Sequence, residues 1–192
     1  MCSYWNWNTC NGVVIMLQLI KRSPEYVSGF KEYCEEFYAN KVIYFRPMNP
    51  NLIDDGWFER TKPLYDKKEE GLLEGYPKGF HYWAIDDGKF IGELQLRTEF
   101  PDKVMNEVGN IGYAVRCSEQ GKGYGTEMLR QGLEIAKSHG MDKVLILINE
   151  ENFVSIHVCE KLGGILQDTI DAYNDAEGHH KLRRYWFYFN ES

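Results

Sequence analysis

Glycine recurs at alternate positions in the polar segment that contains Gly121, Gly123 and Gly125. The apolar run at 111–115 predicts a buried strand before this segment, and the apolar spacing after Tyr124 predicts a helix behind it. A glycine-rich turn from a strand into a helix directs several backbone N–H groups at one point, at the positive end of the helix dipole. Such a turn binds phosphate or pyrophosphate, and glycine keeps side chains out of the ligand's way. The alternative is a tight turn without a ligand.

The glycine spacing does not match two common phosphate-binding loops. A Walker loop ends in Gly-Lys-Ser/Thr, whereas Gly121-Lys122 is followed by Gly123. The dinucleotide fingerprint Gly-x-Gly-x-x-Gly also fails, because its last glycine falls on Thr126 or Met128. Both loops are therefore excluded for this segment.

A third pattern fits, since Gln120-x-x-Gly123-x-Gly125 directly follows the predicted strand. In this setting it resembles the acyl-CoA signature Arg/Gln-x-x-Gly-x-Gly/Ala of the GNAT superfamily of N-acetyltransferases. Asn152 and Ser155, followed by Glu-Lys-Leu-Gly-Gly, resemble a second GNAT segment, Asn-x-x-Ser/Ala and then Glu-Lys-x-Gly. The order of predicted elements is also similar to the GNAT fold over nearly the whole chain.

The resemblance implies acetyl-CoA as the co-substrate and no metal. It implies a splay between the fourth and fifth strands, where the backbone around Val115 pairs with the pantetheine amides like an added strand. The loop would take the pyrophosphate, with Lys122 as an extra cation or simply a solvated side chain. Asn152 would bind the pantetheine arm, although it is equally explained as a helix N-cap. The cofactor-binding residues implied are Ala114, Val115, Arg116, Gln120, Gly121, Lys122, Gly123, Tyr124, Gly125, Thr126, Asn152 and Ser155.

Acetyl transfer to an amine needs a base for the amine proton and a donor for the leaving thiolate. Many GNAT enzymes use a tyrosine seven residues after the asparagine as this donor. This chain has Cys159 at that position, which is either a substitute acid or an inert buried thiol. Tyr113 and Tyr185 are alternatives that nothing in the local sequence selects. In some members a glutamate opens the fourth strand. Here Glu107 lies shortly before that strand and Glu93 on the preceding one, so the catalytic candidates are Glu93, Glu107 and Cys159.

The pattern of elements predicts an α+β (mixed α/β) fold. The resemblance refines it to a GNAT-like single twisted mixed sheet of about seven strands with helices packed on both faces. The predicted strands are 14–20, 80–85, 90–96, 110–115, 144–148, 165–173 and 181–189, and the predicted helices are 23–38, 124–140 and 153–162. Between them, 41–79 is expected to hold one or two short helices, one containing Trp57 and interrupted by Pro63. This segment shapes the acceptor pocket or is a simple connection.

Residues 16–192 are predicted to form a single GNAT domain. Residues 1–15 are predicted to be a disordered or extra N-terminal extension, because 1–12 are aromatic and Asn-rich without periodicity. The alternative is that 13–15 belong to the first strand.

The net charge of −7 argues against nucleic acid or an anionic membrane as the main partner and is compatible with a cationic amine. The five cysteines are odd in number and contain no Cys-x-x-Cys, which favours reduced thiols in a cytoplasmic protein. The longest apolar run, 13–20, is too short to span a bilayer. No histidine has a partner at metal-ligand spacing. The aromatic last strand fits either a core strand or the edge of a homodimer.

The sequence therefore predicts an N-acetyltransferase that moves an acetyl group from acetyl-CoA to an amine of a small molecule or protein, by direct attack in a ternary complex. The alternative is an acyl-CoA-binding module without turnover, because the usual tyrosine is missing at 159 and no base is selected. The acceptor is not encoded in any recognisable motif.

Overall fold

The computed structural model describes residues 9–10, 13–42, 47–174 and 177–189. Its strands are β1 (Thr9–Cys10), β2 (Val13–Val14), β3 (Gln18–Lys21), β4 (Gly79–Asp86), β5 (Lys89–Arg97), β6 (Ile111–Val115), β7 (Lys143–Asn149), β8 (Ile165–Asn174) and β9 (Gly178–Tyr188). Its helices are α1 (Val27–Ala39), α2 (Trp57–Glu70), α3 (Tyr124–Ser138) and α4 (Phe153–Lys161), with 3-10 turns at Pro24–Tyr26, Pro50–Leu52 and Cys117–Glu119 and a π-helical turn at Val104–Val108. None of the helices in these ranges is long and apolar enough to cross a membrane.

The seven longer strands form two sheets, ordered β3-β4-β5-β6 and β7-β9-β8, with antiparallel neighbours. Helix α3 connects the end of β6 to the start of β7. The α+β class is confirmed, and each predicted strand is present, although the first spans 18–21 rather than 14–20. The single sheet that was expected is divided into two between β6 and β7. This division lies where the resemblance implies a splay between the fourth and fifth strands.

One apolar core lies against both sheets, and a second lies on the other face of the four-stranded sheet. On one face, Met128 and Leu129 of α3 and Ile156 of α4 pack against the strands. On the other face, the Phe30 ring of α1 stacks between Trp57 of α2 and Trp83 of β4, with 5.2 Å between ring centroids in both pairs. Helices therefore cover both faces of the four-stranded sheet, as predicted, because side chains alternate between the two sides of each strand.

Helix α2 continues through Pro63, so the prediction that this proline interrupts it is wrong. A proline here removes the N–H that would bond the carbonyl of Glu59, and Glu59 is an exposed residue whose carbonyl can be hydrated. Trp57 is buried before the proline, and Tyr65 lies after it with the Arg22 guanidinium 3.6 Å from its ring centroid. These tertiary contacts outweigh a local cost of about 3 kcal/mol.

The predicted N-terminal extension falls largely outside the described residues. Within it, the structure pairs β1 with β2, with Thr9 opposite Val14 and Cys10 opposite Val13. Residues 1–8 and 11–12 are not described, so the expectation of disorder there stays a prediction.

Candidate functional site

The β6 backbone presents unpaired groups to the gap between the two sheets, which we call the slot. The Arg116 N–H donates to Ile91 O of β5 at 2.8 Å. Because bonding direction alternates along an antiparallel pair, Ala114 also bonds β5, whereas Tyr113 and Val115 point their N–H and C=O groups into the slot. Ala114 and Arg116, which were predicted to bind the cofactor, therefore have no backbone group in the slot. Tyr113, which was not among the predicted cofactor-binding residues, has both its N–H and its C=O there.

The opposite wall of the slot is β7. The Glu150 N–H donates to Lys181 O at 3.0 Å, and this pair continues the register of the β7–β9 ladder by one residue. The same alternation therefore points the backbone groups of Leu145, Leu147 and Asn149 toward β6. Within the described residues β6 and β7 share no ladder, so an extended ligand arm would meet peptide groups on both walls.

Asn110 closes the base of the slot. Its N–H donates to Leu145 O at 2.7 Å, and its side-chain Oδ1 accepts from the Leu145 N–H at 2.8 Å. Its Nδ2 donates to Arg97 O and Glu99 O at 3.0 and 3.2 Å, and the residue is fully buried. At Gly109, φ is 68° and a Cβ would lie 2.9 Å from Leu145 O, so only glycine allows this approach. The two sheets thus meet at Gly109–Asn110 and separate beyond it.

Backbone donors gather at the end of β6, where the chain turns into α3. The N–H groups of residues 121–126 have no acceptor in the described part of the chain, and the first helical bond runs from the Glu127 N–H to Gly123 O at 3.2 Å. Helix N-termini leave their first N–H groups free and carry positive dipole charge. The arrangement suits an anionic group such as a pyrophosphate.

The three loop glycines differ in what the backbone requires of them. Gly121 and Gly123 have φ values of 78° and 92°, in the left-handed region that favours glycine. Gly125 has no such constraint, and a Cβ there would lie 3.5 Å from Cε2 of Tyr113, an ordinary contact. This difference matches the GNAT signature, which accepts glycine or alanine at the last position.

Two lysines and one carboxylate lie beside the loop. Glu119 is 2.7 Å from Lys122 Nζ and 2.5 Å from Lys89 Nζ, and both lysine side chains are about half exposed. Burial raises the pKa of Glu119, but the hydrogen bonds from both lysines outweigh this and hold the pKa below its ordinary value. One carboxylate shared by two cations leaves the group with a net positive charge, which favours an anion nearby.

The remaining predicted loop side chains have separate roles. Gln120 donates its side-chain amide to Val115 O at 3.2 Å, so it covers one of the slot carbonyls. The Tyr124 hydroxyl donates to Asp86 at 2.6 Å and packs away from the loop, which leaves only its backbone N–H for a ligand. Thr126 is partly exposed in the first turn of α3.

The Arg116 side chain links the end of β6 to α1. Its guanidinium bonds Glu36 at 2.9 and 2.5 Å and Phe90 O at 3.1 Å. Burial raises the pKa of Glu36, but the bonds from Arg116 and Ser118 outweigh this and lower it. Because its guanidinium is held by α1 and its N–H by Ile91, Arg116 has a structural role in this arrangement.

The first turn of α4 carries the two polar residues of the second motif. The Oδ1 of Asn152 accepts from the Ser155 N–H at 3.2 Å, so Asn152 is the helix N-cap. The Nδ2 of Asn152 has no partner among the described residues. The cap and a bond to a ligand are therefore compatible, because they use different atoms of the same amide.

Cys159 lies in the core under α4 and is fully buried. A Cβ on Gly164 would lie 2.7 Å from its Sγ and 3.0 Å from the Phe187 ring, which shows how closely the thiol is packed. Burial, helped by the nearby Glu160 charge, raises the pKa of Cys159 to about 12. This environment fits the inert buried thiol rather than a substitute acid.

Glu93 is buried on the face of the sheet that α1 and α2 cover. It lies directly opposite Ala114 of β6, one strand from the slot. One of its oxygens accepts from the Tyr33 hydroxyl at 3.3 Å, and the other makes a short bond with His81 Nε2. Its carboxylate therefore belongs to a buried three-residue network.

Glu107 lies in the π-helical turn before Gly109 and is exposed. The neighbouring Asn106 accepts from Arg184 of β9 at 3.3 Å, which ties this turn to the three-stranded sheet. The two carboxylates thus differ in burial, and the structure does not bring them together.

A family model described as an acetyltransferase (GNAT) domain matches residues 30–165. The chain belongs to the GNAT acetyltransferase family. This match covers most of the chain and supports acyltransferase activity.

Solved GNAT structures share the fold at low sequence identity. One is a ribosomal L7/L12 alpha-N-protein acetyltransferase in complex with coenzyme A, with a TM-score of 0.68, 17% identity, and coverage of 90% of this chain and 94% of that one. A second is the microcin C7 self-immunity acetyltransferase in complex with acetyl-CoA and AMP, with a TM-score of 0.68, 15% identity, and coverage of 90% and 92%. A third is the ribosomal-protein-S5-alanine acetyltransferase from Vibrio fischeri, with a TM-score of 0.70, 16% identity, and coverage of 91% and 93%.

Two features of this GNAT site were not predicted from the sequence. Asn110 appeared only as the start of a strand, and its bonds across the sheets leave no local signal. The His81–Glu93 contact has no simple one either, because counting from the Asp-Gly turn places Tyr82 opposite Glu93. A bulge between Ala84 and Ile85 shifts the register, so that Trp83 lies opposite Glu93 and His81 lies diagonal to it on the same face. Within the described ranges, no group of three or more His, Cys, Asp or Glu residues could hold a metal.

Proposed function

We propose that this GNAT protein is an N-acetyltransferase that uses acetyl-CoA and an amine in a ternary complex. The observation that supports this most is the position of the unpaired β6 backbone, which runs directly into six unpaired loop N–H groups. An extended arm ending in a pyrophosphate matches both features at once.

The cofactor-binding residues follow from these groups. The N–H groups of residues 121–126 would bind the pyrophosphate, with Lys122 adding charge. The slot-facing peptide groups of Val115 and Tyr113 would pair with the pantetheine arm once the Gln120 side chain moves aside. Asn152, through its free Nδ2, and Ser155 would bind the same arm from α4.

Bound acetyl-CoA supplies the thioester that the amine attacks. The chain's own contribution is a backbone N–H in the slot, at Tyr113 or Val115, for the developing oxyanion. Glu93 is the stronger of the two base candidates, because it is buried and lies opposite β6, whereas Glu107 is exposed. Both oxygens of Glu93 are engaged, so proton transfer would pass through its partner His81.

The acceptor is proposed to be an amine of a small molecule or a protein. Two of the similar structures are named for acetylating ribosomal proteins, which makes peptides with free N-termini a first panel and small amines a second. The net charge of −7 is compatible with cationic acceptors of both kinds.

The first experiment is titration calorimetry with acetyl-CoA on three proteins: wild type, Gly123→Asp and Gly123→Ala. The aspartate adds a negative charge among the loop N–H groups, so we expect it to abolish binding. The alanine imposes the same backbone strain without the charge, so it should retain more affinity than the aspartate. Equal affinity of all three proteins would place the cofactor elsewhere, and no binding to wild type would contradict the proposed function.

Acyl-CoA binding without turnover is the second candidate. It is favoured by the burial of Cys159 where many GNAT enzymes have tyrosine, and by the engagement of both Glu93 oxygens. Release of free CoA with any amine of the panel would exclude it. In such an assay, Glu93→Gln should lower turnover at least about tenfold with unchanged acetyl-CoA affinity, whereas Glu107→Gln should not.

A further inference from the structure

The Tyr113 hydroxyl is a buried polar group whose role the binding of the cofactor arm does not explain. Its oxygen has almost no exposure and meets no hydrogen-bond partner with acceptable geometry in the described residues. Leaving such a group unpaired is costly, about 1–3 kcal/mol, so a native structure with one calls for a missing partner.

The surroundings of Tyr113 place this hydroxyl between the slot and α4. Its side chain lies on the α3 side of β6, where a Cβ at Gly125 would be 3.5 Å from its ring. At the hydroxyl end, Ser155 is near enough to interact with the hydroxyl and lower its pKa, although the pair does not have the geometry of a regular hydrogen bond, and Cys159 lies beside it. Asn152 lies on the same first turn of α4 as Ser155, with its Nδ2 also unpartnered. The Tyr113 hydroxyl on β6 and the Nδ2 of Asn152 on α4 thus lie on the two sides of the path proposed for the pantetheine arm.

Two other tyrosines near α3 and α4 already have partners. The Tyr124 hydroxyl bonds Asp86 at 2.6 Å, and the Tyr185 hydroxyl bonds Glu160 at 2.8 Å. Cys159, at the position where many GNAT enzymes have tyrosine, is closed within the core. Tyr113 is therefore the tyrosine in this region with a donor to offer.

We propose that the Tyr113 hydroxyl donates a hydrogen bond to the sulfur of the bound cofactor and stabilises the departing thiolate. This inference rests on the proposed function. The tyrosine that many relatives carry on α4 is here replaced by one on β6, which reaches the same region from the other side of the slot.

The electron and proton balance of the step is simple. The amine nitrogen bonds to the acetyl carbon, the C–S bond breaks, and its electron pair passes to the sulfur, which accepts the Tyr113 hydrogen bond. The proton lost by the amine goes to the Glu93–His81 pair, and the thiolate takes a proton from solvent on release. Burial raises the pKa of Tyr113, an effect that Ser155 only partly offsets, so the hydroxyl stays a donor through the neutral range.

The test uses CoA itself and needs no acceptor. The thiolate absorbance of protein-bound CoA is titrated against pH, with desulfo-CoA as the blank, in wild type, Tyr113→Phe and Tyr185→Phe. Hydrogen bonds to charged groups contribute about 1.5–3 kcal/mol, so we expect the bound thiol in Tyr113→Phe to titrate at least about one pH unit higher, a tenfold change. Tyr185→Phe removes a hydroxyl already bonded to Glu160 and should match wild type.

The outcomes separate this inference from the proposed function. Failure of wild type to bind CoA contradicts the proposed function. Binding by both proteins with the same thiol titration in Tyr113→Phe and wild type overturns the role of Tyr113 alone. If Tyr113→Phe does not fold, wild type labelled at the tyrosine ζ-carbons gives a second measurement. One of the 13 tyrosine resonances should differ between CoA and desulfo-CoA complexes, and no difference overturns the inference.

Discussion

The Asn110 side-chain oxygen accepts a hydrogen bond from the Leu145 N–H at 2.8 Å and so ties the two sheets together. The same amide donates to Arg97 O and Glu99 O, and Asn110 itself is fully buried. Beyond it, β6 and β7 form no ladder within the described ranges. The width of the slot at its base therefore depends on this side chain and on the close approach at Gly109.

Asn110→Asp should keep the acceptor for Leu145 but place a second oxygen against the carbonyls of Arg97 and Glu99. We expect the free energy of unfolding at pH 7 to fall by roughly 2–4 kcal/mol. The carbonyls and burial raise the folded-state pKa of the new carboxyl above its unfolded value, so the loss is largest at neutral pH and shrinks as the pH falls toward about 4. Urea unfolding at both pH values measures this.

The control for this variant is Asn106→Asp. Asn106 is exposed and bonds Arg184, so a carboxylate there meets a cation and should change stability by no more than about 0.5 kcal/mol. A loss in Asn110→Asp that is the same at both pH values would contradict the proposed cause.

Arg116→Met should remove a pH-dependent part of the stability. The bonds from Arg116 help to hold the folded-state pKa of Glu36 below its ordinary value of 4.5, although burial opposes this. A depressed pKa contributes stability that is present at neutral pH and lost as the pH falls through the acidic range. The gap in unfolding free energy between wild type and variant should therefore be largest near pH 7 and narrow below about pH 4.5.

A matched comparison for Arg116 is Lys62→Met, which removes the exposed Lys62–Asp66 pair of α2. Exposed pairs of this kind contribute about 0.3–0.5 kcal/mol, so this variant should show little change at either pH. A gap for Arg116→Met that stays constant from pH 7 to pH 4 would argue that the arginine acts through packing alone.

Alanine at Gly123 and at Gly125 should have opposite effects on stability without any ligand. At Gly123, φ is 92° and an alanine is strained by about 1–2 kcal/mol. At Gly125 the backbone is helical and the new Cβ would lie 3.5 Å from the Tyr113 ring, so alanine should stabilise α3 by up to about 1 kcal/mol. Thermal unfolding of the two variants tests the order, and a reversed order would mean that the loop changes conformation.

Glu93 and His81 should be energetically coupled. Each is buried and bonded to the other, so replacing either with glutamine leaves a polar group without its partner. A double-mutant cycle in urea with Glu93→Gln and His81→Gln should give a coupling energy of about 1–3 kcal/mol. Additive losses would mean that the contact contributes nothing beyond the packing of each side chain. Glu107→Gln is the exposed control and should be neutral.

The sequence predicted the features that depend on local chemistry. The loop at Gly123, the cap at Asn152 and the seven long strands all follow from residue types and spacing, and the structure contains them. The helix through Pro63 was predicted wrongly, because distant aromatic contacts decide its continuity.

What the sequence missed lies in long-range geometry. The direction of the Arg116 side chain depends on α1, which is about 80 residues earlier, and the bonds of Asn110 depend on a strand about 35 residues later. Whether the backbone of Tyr113 faces the slot depends on which β6 residues bond to β5. The five-residue sequence of β6 does not fix this until its register with β5 is known. Spacing alone selects none of these three.

The unpaired strand walls of the slot also have a consequence for hydrogen–deuterium exchange. The amide protons of Tyr113, Val115 and Leu147 belong to regular strands, yet they point away from the ladders that would protect them. In protein without ligand they should exchange like those of a surface turn, while their neighbours Ala114 and Ile146 exchange slowly. Addition of CoA should erase that alternation, so residue-resolved deuterium uptake would trace the path of the bound arm one amide at a time.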